Sequence, residues 1–435
     1  NDVYTYVNPR NPNELIINTT VLPFATPLSR FSDAVDYRVF IDNGATEFVI
    51  TCRFPGSIRV ECSGIPGLSA SGSVGATING SGGFRINTGL KDDPFFFDSP
   101  AFNATRAAAA PRFTNPGTNF FRGNTLVITM GIPNAAVSAG GTRNVLKIYA
   151  ATRRTGGDGI GPGISGSWFD QSAAGAGFTF EVIPGTGGTQ RLNVVWTTYD
   201  AGGRQFWLYG AGDISGRTAS VPMSFTQGTG LLPSASSVSV RPFGTVNFEF
   251  DNCNTGRANF TTNVLNLPSS GTVNLTRLTS ISGQTCEFLS RGQIDRNGRP
   301  TINTTLINLL PATGTAIKDA YNRAEGVSSW TQFQGEIQAN LAILDSLDGR
   351  SNAVLPAAAL AGVLVDDRLI IDISKPACDE YLAVELGITN KCGGRTLARD
   401  IIDDTLGAAV GPGVTDGVAN DSVFLSDWPF VSDPI

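Results

Sequence analysis

The sequence predicts a mainly β fold, sandwich- or barrel-like, with a few helices confined to its C-terminal part. Three observations carry that expectation. The 435 residues are rich in Gly, Thr, Asn and Ser but only 16% charged, a balance that suits strands and turns better than long helices. Apolar residues recur at strand-like spacing, between turn signals, up to about Cys286. Helical spacing of three and four enters only after that point. A chain this long is expected to form two or three domains.

The elements follow in order. Leu15, Ile16, Ile17, Val21 and Leu22 mark a strand over Glu14–Leu22. Val35, Tyr37, Val39 and Ile41 alternate with polar residues; Asp42-Asn43-Gly44 then turns the chain into Phe48-Val49-Ile50, a hairpin signal. Thr125–Met130 and Val145–Tyr149 are further apolar strands. The Gly-rich stretch Arg154–Gly166 reads as a linker or long loop. Strands then recur at Phe178–Val182, Leu192–Trp196, Phe206–Tyr209 and Val246–Phe250 with no helical segment between them, which predicts a small sandwich or barrel. Trp330, Phe333, Ile337, Leu341 and Leu344 form one apolar helix face. Leu397, Ile401 and Ile402 suggest a short helix ending near Gly407, and Val363–Ile373 resembles a strand.

Composition removes several chemistries. Histidine is absent, so no His-based triad, general base or metal ligand exists. The net charge of -6 and the lack of a Lys/Arg run remove the electrostatic footprint of nucleic-acid binding. No apolar run is long enough to span a membrane. The start, Asn1-Asp2-Val3-Tyr4, is not a signal peptide and fits a mature chain whose leader has been removed. Cys52, Cys62, Cys253, Cys286, Cys378 and Cys392 fall into three neighbouring pairs without a Cys-x-x-Cys motif. Six cysteines allow fifteen pairings; the spacing favours 52 with 62, 253 with 286 and 378 with 392. Such bridges imply an extracellular, cell-surface or periplasmic location.

Candidate sites are few. Asp416, Asn420 and Asp421, with Gly417 between them, could offer oxygen ligands to calcium, or could simply form an Asx-type turn. Asp33, Asp42 and Asn43 invite the same two readings. Asp92/Asp93, Asp366/Asp367 and Asp403/Asp404 are adjacent acids, expected as solvated surface charge rather than as a catalytic pair, because neighbours in sequence point apart. Trp196, Tyr199 and Trp207 could stack on sugar rings, although burial in a core is the commoner role of large aromatics. Phe95-Phe96-Phe97 cannot all face one side of a strand, so one reaches a neighbouring subunit or the strand is buried on both sides. Gly156-Gly157-Asp158-Gly159 lacks the Lys-Ser/Thr of a phosphate loop and is read as loop. Seven Asn-x-Ser/Thr sequons occur, at Asn18, Asn79, Asn103, Asn259, Asn274, Asn303 and Asn420.

One set of segments carries a resemblance. It comprises Asp2-Val3-Tyr4 with Val7-Asn8-Pro9, Phe31–Tyr37, Ile41–Gly44, Asp92–Asp98, Ala150–Arg154, Gly298–Asn303, Lys318–Asn322 and Asp416–Asp421, with Trp428-Pro429-Phe430 after it. In this order they resemble a family of uncharacterised bacterial secreted proteins whose members typically begin Ser-Ser-His-Arg-Glu-Ala-Pro, a segment this chain lacks. The resemblance covers roughly 1–155 and 288–435 and implies compartment and architecture, not chemistry. Between the two stretches, Gly166–Asp170, Trp196–Asp200, Gly203–Leu208 and Asp251–Asn254 look like a β module of exported proteobacterial proteins. The resemblance therefore implies a host domain in segments 1–155 and 288–435 with an all-β module inserted at 156–287. A surface loop is the tolerated place for such an insertion. The leading functional expectation is a non-catalytic secreted or cell-surface structural protein. It would act through contacts with other subunits, as a homo-oligomer or polymer such as a filament or surface layer, and without a cofactor. The alternatives are a calcium- or carbohydrate-binding extracellular module and, third, a carboxylate-based extracellular hydrolase.

Overall fold

The computed structural model describes residues 1–435 apart from 109, 155–158, 174, 187–188, 230–236, 283, 285, 287–291, 308, 310–313, 348 and 352. Gly156, Gly157 and Asp158, expected in a loop, lie outside the described residues. The chain divides into two compact units, Asn1–Arg154 with Gln293–Ile435, and Thr155–Gly292. The first unit begins with β1 (Asp2–Val7), β2 (Glu14–Val21), β3 (Val35–Asp42), β4 (Glu47–Arg53), β5 (Arg59–Ser63), β6 (Ser69–Ser73), β7 (Thr77–Asn79), β8 (Arg85–Asp92), β9 (Asn124–Pro133) and β10 (Val145–Arg154). The second unit holds β11 (Gly166–Phe169), β12 (Gly177–Pro184), β13 (Gln190–Tyr199), β14 (Gln205–Ser215), β15 (Thr218–Thr229), β16 (Ser237–Phe250), β17 (Thr255–Thr262) and β18 (Ser270–Arg277). The first unit then resumes with β19 (Gln293–Asn297) and β20 (Leu369–Asp372). Its helices are α1 (Ser99–Ala108), α2 (Asn134–Val137), α3 (Gly314–Arg323), α4 (Gln334–Asp345), α5 (Ala357–Leu364) and α6 (Ile401–Ala409). The fold is thus mainly β with its helices mostly in the C-terminal part, as the composition and periodicity predict.

Two antiparallel sheets make the first unit a sandwich. One runs β1-β2-β9-β8-β7 and the other β19-β10-β3-β4-β5-β6, with β20 also on β10. Inward residues of both sheets, such as Leu15, Ile17, Ile128 and Met130 facing Val39, Ile41, Ile50 and Ile148, share one core. The hairpin signal is realised: β3 pairs with β4 from Tyr37↔Cys52 to Asp42↔Glu47. Asp42 and Asn43 make the turn with their own side chains, which accept the N–H groups of Gly44, Ala45 and Thr46. Asp42 also takes the Arg368 guanidinium at 2.8 Å, so its oxygens are engaged within the fold.

Strands β2 and β9 are buried along almost their whole length. Both faces are covered, because the C-terminal segment lays Leu397, Phe430 and Val431 against Tyr4, Tyr6, Ile16 and Val127. On the other sheet Trp330 covers Phe40, Tyr149 and Ala151. The predicted apolar face from Trp330 to Leu344 is real, but its first turns, Val327–Phe333, are a 3-10 helix that runs into α4. The strand expected over Val363–Ile373 is shorter. Ala357–Leu364 is helical instead, preceded by the extended Pro356 and built largely of Ala and Leu, both strong helix formers. The second short helix starts at Ile401, where the Asp400 side chain caps it, and runs past Gly407 to Ala409.

A buried ion pair ties β19 to the loop before β20. Arg296 Nε donates to Asp367 Oδ2 at 3.1 Å, and both side chains are almost fully buried. The guanidinium lies between the rings of Tyr321 and Trp330, 4.1 and 4.0 Å from their centroids, and donates to Ala324 O. Asp367 also accepts from Arg299 N. Gly298 permits this approach, since a Cβ there would lie 1.8 Å from Asp367 O. The expectation that Asp366/Asp367 is solvated therefore fails for Asp367; no local pattern announces an arginine 71 residues away in sequence.

The three cysteine pairs are bonded as spacing suggested: Cys52–Cys62 across β4 and β5, Cys253–Cys286 within the second unit, and Cys378–Cys392 in the C-terminal segment. No helix among the described residues is long and apolar enough to cross a membrane.

Replacing Asp367 by Ala strands a buried guanidinium, which costs on the order of 3–5 kcal/mol. The Asp367→Ala variant is expected to lose protection from hydrogen exchange throughout 1–154 and 293–435 while 160–282 keeps it. Equal loss in both units, or in neither, would show that the pair is not what holds the sandwich.

Candidate functional site

The second unit is a closed barrel in which β11 to β18 pair with their sequence neighbours. Closure comes from Trp168↔Arg277 and Phe169↔Thr276 between the first and last strands. Strict alternation sets its interior: Leu192, Val194 and Trp196 on β13 face inward, while the residues between them face out. Eight strands leave a lumen that side chains fill or that holds one small ligand.

The two ends differ. At one end Ile160 and Ile164 enter the core and Trp168 Nε1 donates to Ile164 O. Arg277 closes that end by donating to Gly163 O and Ser165 O. Above this plug Phe180, Phe248 and Phe250 pack edge-to-face within 5.3 Å. The opposite end, formed by the close of β13, the start of β14 and the end of β17, is not filled. It holds a cavity of about 210 Å³ lined by Trp196, Phe206, Phe243, Phe260 and Leu267, with Thr198 and Tyr199 among its walls. Trp196 forms its floor, stacked on Phe178 at 5.0 Å and edge-on to Phe243 at 5.8 Å.

The aromatic trio named from sequence therefore splits. Trp196 belongs to core and cavity at once, and Tyr199 lines the same cavity from a half-exposed position. Trp207 is one register position out of phase and stands on the outer wall, 51% exposed, beside Tyr209. Sequence reasoning missed Phe206, Phe243 and Phe260. Their alternation was visible, but which strand ends share a rim depends on closure.

The barrel also carries a projecting hairpin at its open end. Phe225↔Arg241 to Thr229↔Ser237 pair only with each other among the described residues, beyond the last rungs to β14 and β17. Phe225 at its base packs on Phe206 at 5.0 Å. Val238 and Val240 are exposed on one face of it.

In the first unit, Asp416 is brought to Asp400 and Asp403, not to Asn420 or Asp421. One carboxylate oxygen from each of the three lies within 4.8 Å of the others. Asp416 is buried and accepts from Asp98 N and Val418 N. Asp403 accepts from Asp416 N, and Asp400 from Asp403 N as the cap of α6. Asn420 accepts from Ser422 N in an Asx turn, and Asp421 accepts from Asn119. Burial raises all three clustered carboxyls above the usual range, Asp400 to about 6, with neighbouring acid charge adding to it. The oxygens are of the type that calcium takes, and the bonds they already make are those of caps and turns.

No protein-family model, no curated protein and no solved structure matches this chain.

A carboxyl with a higher pKa folded than unfolded binds its proton more tightly in the native state, so its contribution to stability falls as pH rises from about 4 to about 6. Asp400→Asn keeps the cap and removes the charge. The variant is expected to have a higher urea midpoint than the parent at about pH 7, with the gap closing towards about pH 4. Parallel pH profiles for the two chains would refute the assignment.

Proposed function

We propose that this chain is an exported, non-catalytic binding protein whose barrel takes a small apolar ligand bearing an aromatic ring. One observation carries the reading: the barrel is plugged and densely packed at one end, yet an aromatic-walled space of about 210 Å³ is left at the other. Barrel mouths are preferred ligand sites, and a lining of rings with one or two hydroxyls suits a flat ligand with a single polar group. Thr198 and Tyr199 supply those hydroxyls. The three disulfides and the lack of a membrane-crossing helix among the described residues fit the exported state. Two features support a binding role over catalysis at this mouth: the chain has no histidine, and among the described residues no acid lines the space.

The expected result is that 1-naphthol and indole raise the melting temperature of the barrel in a dose-dependent way. Leu267→Trp, which fills the space from the rim, is expected to abolish the shift without lowering the unliganded melting point. If neither probe shifts the parent chain, or if the filled variant responds equally, the reading is wrong.

A second reading, a subunit of an extracellular assembly, draws on the projecting hairpin. Its strands have unpaired outer edges among the described residues and carry Val238 and Val240 outward, 64% and 59% exposed. Such edges recruit further strands. Light scattering of the parent chain is expected to show concentration-dependent growth that Val238→Lys with Val240→Lys removes. A parent that stays monomeric at millimolar concentration would discard this reading.

A further inference from the structure

We propose that the sandwich unit carries a binding site of its own, for a neutral polyol the size of one or two sugar rings, in the cavity beside Asp93. The cavity measures about 260 Å³ and lies wholly within the first unit. That is just below the range of drug-sized sites, about 300–1,000 Å³, and suits a smaller ligand.

Asp93 reaches this space because β8 ends at Asp92 and Pro94 holds the preceding residue extended. Its backbone is anchored by Asp93 N donating to Gly123 O at 2.9 Å. The side chain is buried, 6% exposed, and lines the cavity. Oδ1 accepts from Phe95 N at 3.1 Å; among the described residues no hydrogen bond reaches Oδ2. A ligand hydroxyl in the cavity would supply Oδ2 with a donor. The same burial, reinforced by the nearby Asp2 charge, raises the Asp93 carboxyl to about 7. Of its charged neighbours, Asp2 raises it and Arg395 lowers it, and these two pair with each other at 2.6 Å.

The opposite wall is conformationally unusual. Thr301 sits in the left-handed region at φ 66, a position that strains a β-branched residue. A π-turn follows over Ile302–Leu306, with Ile307 N bonded to Ile302 O. Such wide turns recur at functional sites. Here the turn lets Ile302 and Leu306 enter the core while Asn303 and Thr304 line the cavity. Ser99, Asn103 and Asn297 add further neutral donors and acceptors, and Phe95 and Phe121 supply an apolar wall.

That lining selects the ligand class. A cation would meet Arg106 on one wall, and an anion would meet Asp93 and Asp2. Amides, hydroxyls and two carboxyls, one of them already paired with Arg395, beside phenyl rings match a molecule that offers many hydroxyls and an apolar C–H face. Neither the adjacent acids nor the Phe triplet revealed this in the sequence, where Asp92/Asp93 read as surface charge. Both are buried.

The test is saturation-transfer NMR and calorimetry on the full chain with glucose, galactose, mannose, maltose, cellobiose and myo-inositol, with choline and citrate as charged controls. At least one neutral polyol is expected to bind, and neither control. Asp93→Asn is expected to weaken that binding about tenfold or more. Asn103→Ala, on the exposed side of α1, is expected to weaken it too, and it remains informative if the Asp93 variant fails to fold. Leu267→Trp in the barrel is expected to leave polyol binding unchanged. No binding by any polyol, preference for a charged control, parental binding by a folded Asp93→Asn or by Asn103→Ala, or loss of binding in the Leu267 variant would each overturn the proposal.

Discussion

The sandwich depends on burying arginine. Arg296, Arg299 and Arg395 are all essentially inaccessible, and each belongs to the C-terminal segment that completes the unit. A guanidinium taken out of water is tolerated only with a carboxylate and further acceptors around it. Arg296 finds Asp367 and two rings, Arg299 finds Glu385 at 2.7 Å, and Arg395 finds Asp2 with Tyr4 beneath it at 3.9 Å. Each partner set exists only when distant stretches of chain are correctly docked. A shifted register would leave a charge buried alone, so these pairs disfavour alternative packings more than they add net stability.

The barrel solves a different problem. It buries no ion pair of this kind among its described residues; its interior is aromatic and aliphatic, and ring closure removes the edges that an open sheet would expose. Apolar packing tolerates local incompleteness in a way that a buried charge does not. Space can therefore remain at one rim without unsettling the rest. In the sandwich the corresponding slack is polar, set by the Pro94 constraint on one side and the strained Thr301 turn on the other.

Local features were legible in the sequence. The β3–β4 turn, the alternation of β13 and β14, and the helix face from Trp330 to Leu344 follow from periodicity and turn chemistry within a few residues. Neighbouring cysteines likewise sit within 10 to 33 positions of their partners. What was not legible depends on pairing at long range. Closure joins Trp168 to Arg277, and Asp416 meets Asp400 and Asp403 rather than the nearer Asn420. Adjacent acids looked solvated because their buried environments are assembled by other segments. Asp367 lies against β19 and Asp93 faces the π-turn across a cavity, and a window on the acid itself contains neither.

The bipartite construction of the sandwich has a consequence for its biosynthesis. Strand β10 takes β19 and β20 along one edge, and Thr5 exchanges both backbone hydrogen bonds with Arg395. The N-terminal 154 residues therefore emerge with an open sheet edge and an uncovered apolar face. They must wait while the whole barrel is made, and close only when the final residues arrive. Pairing across such separations is slow, and the waiting intermediate is prone to aggregate. The barrel, whose strands each find their partner next in line, can finish first and keep the two halves of the sandwich tethered until they join. A cell making this protein would therefore need a holding factor for the first segment, not for the barrel.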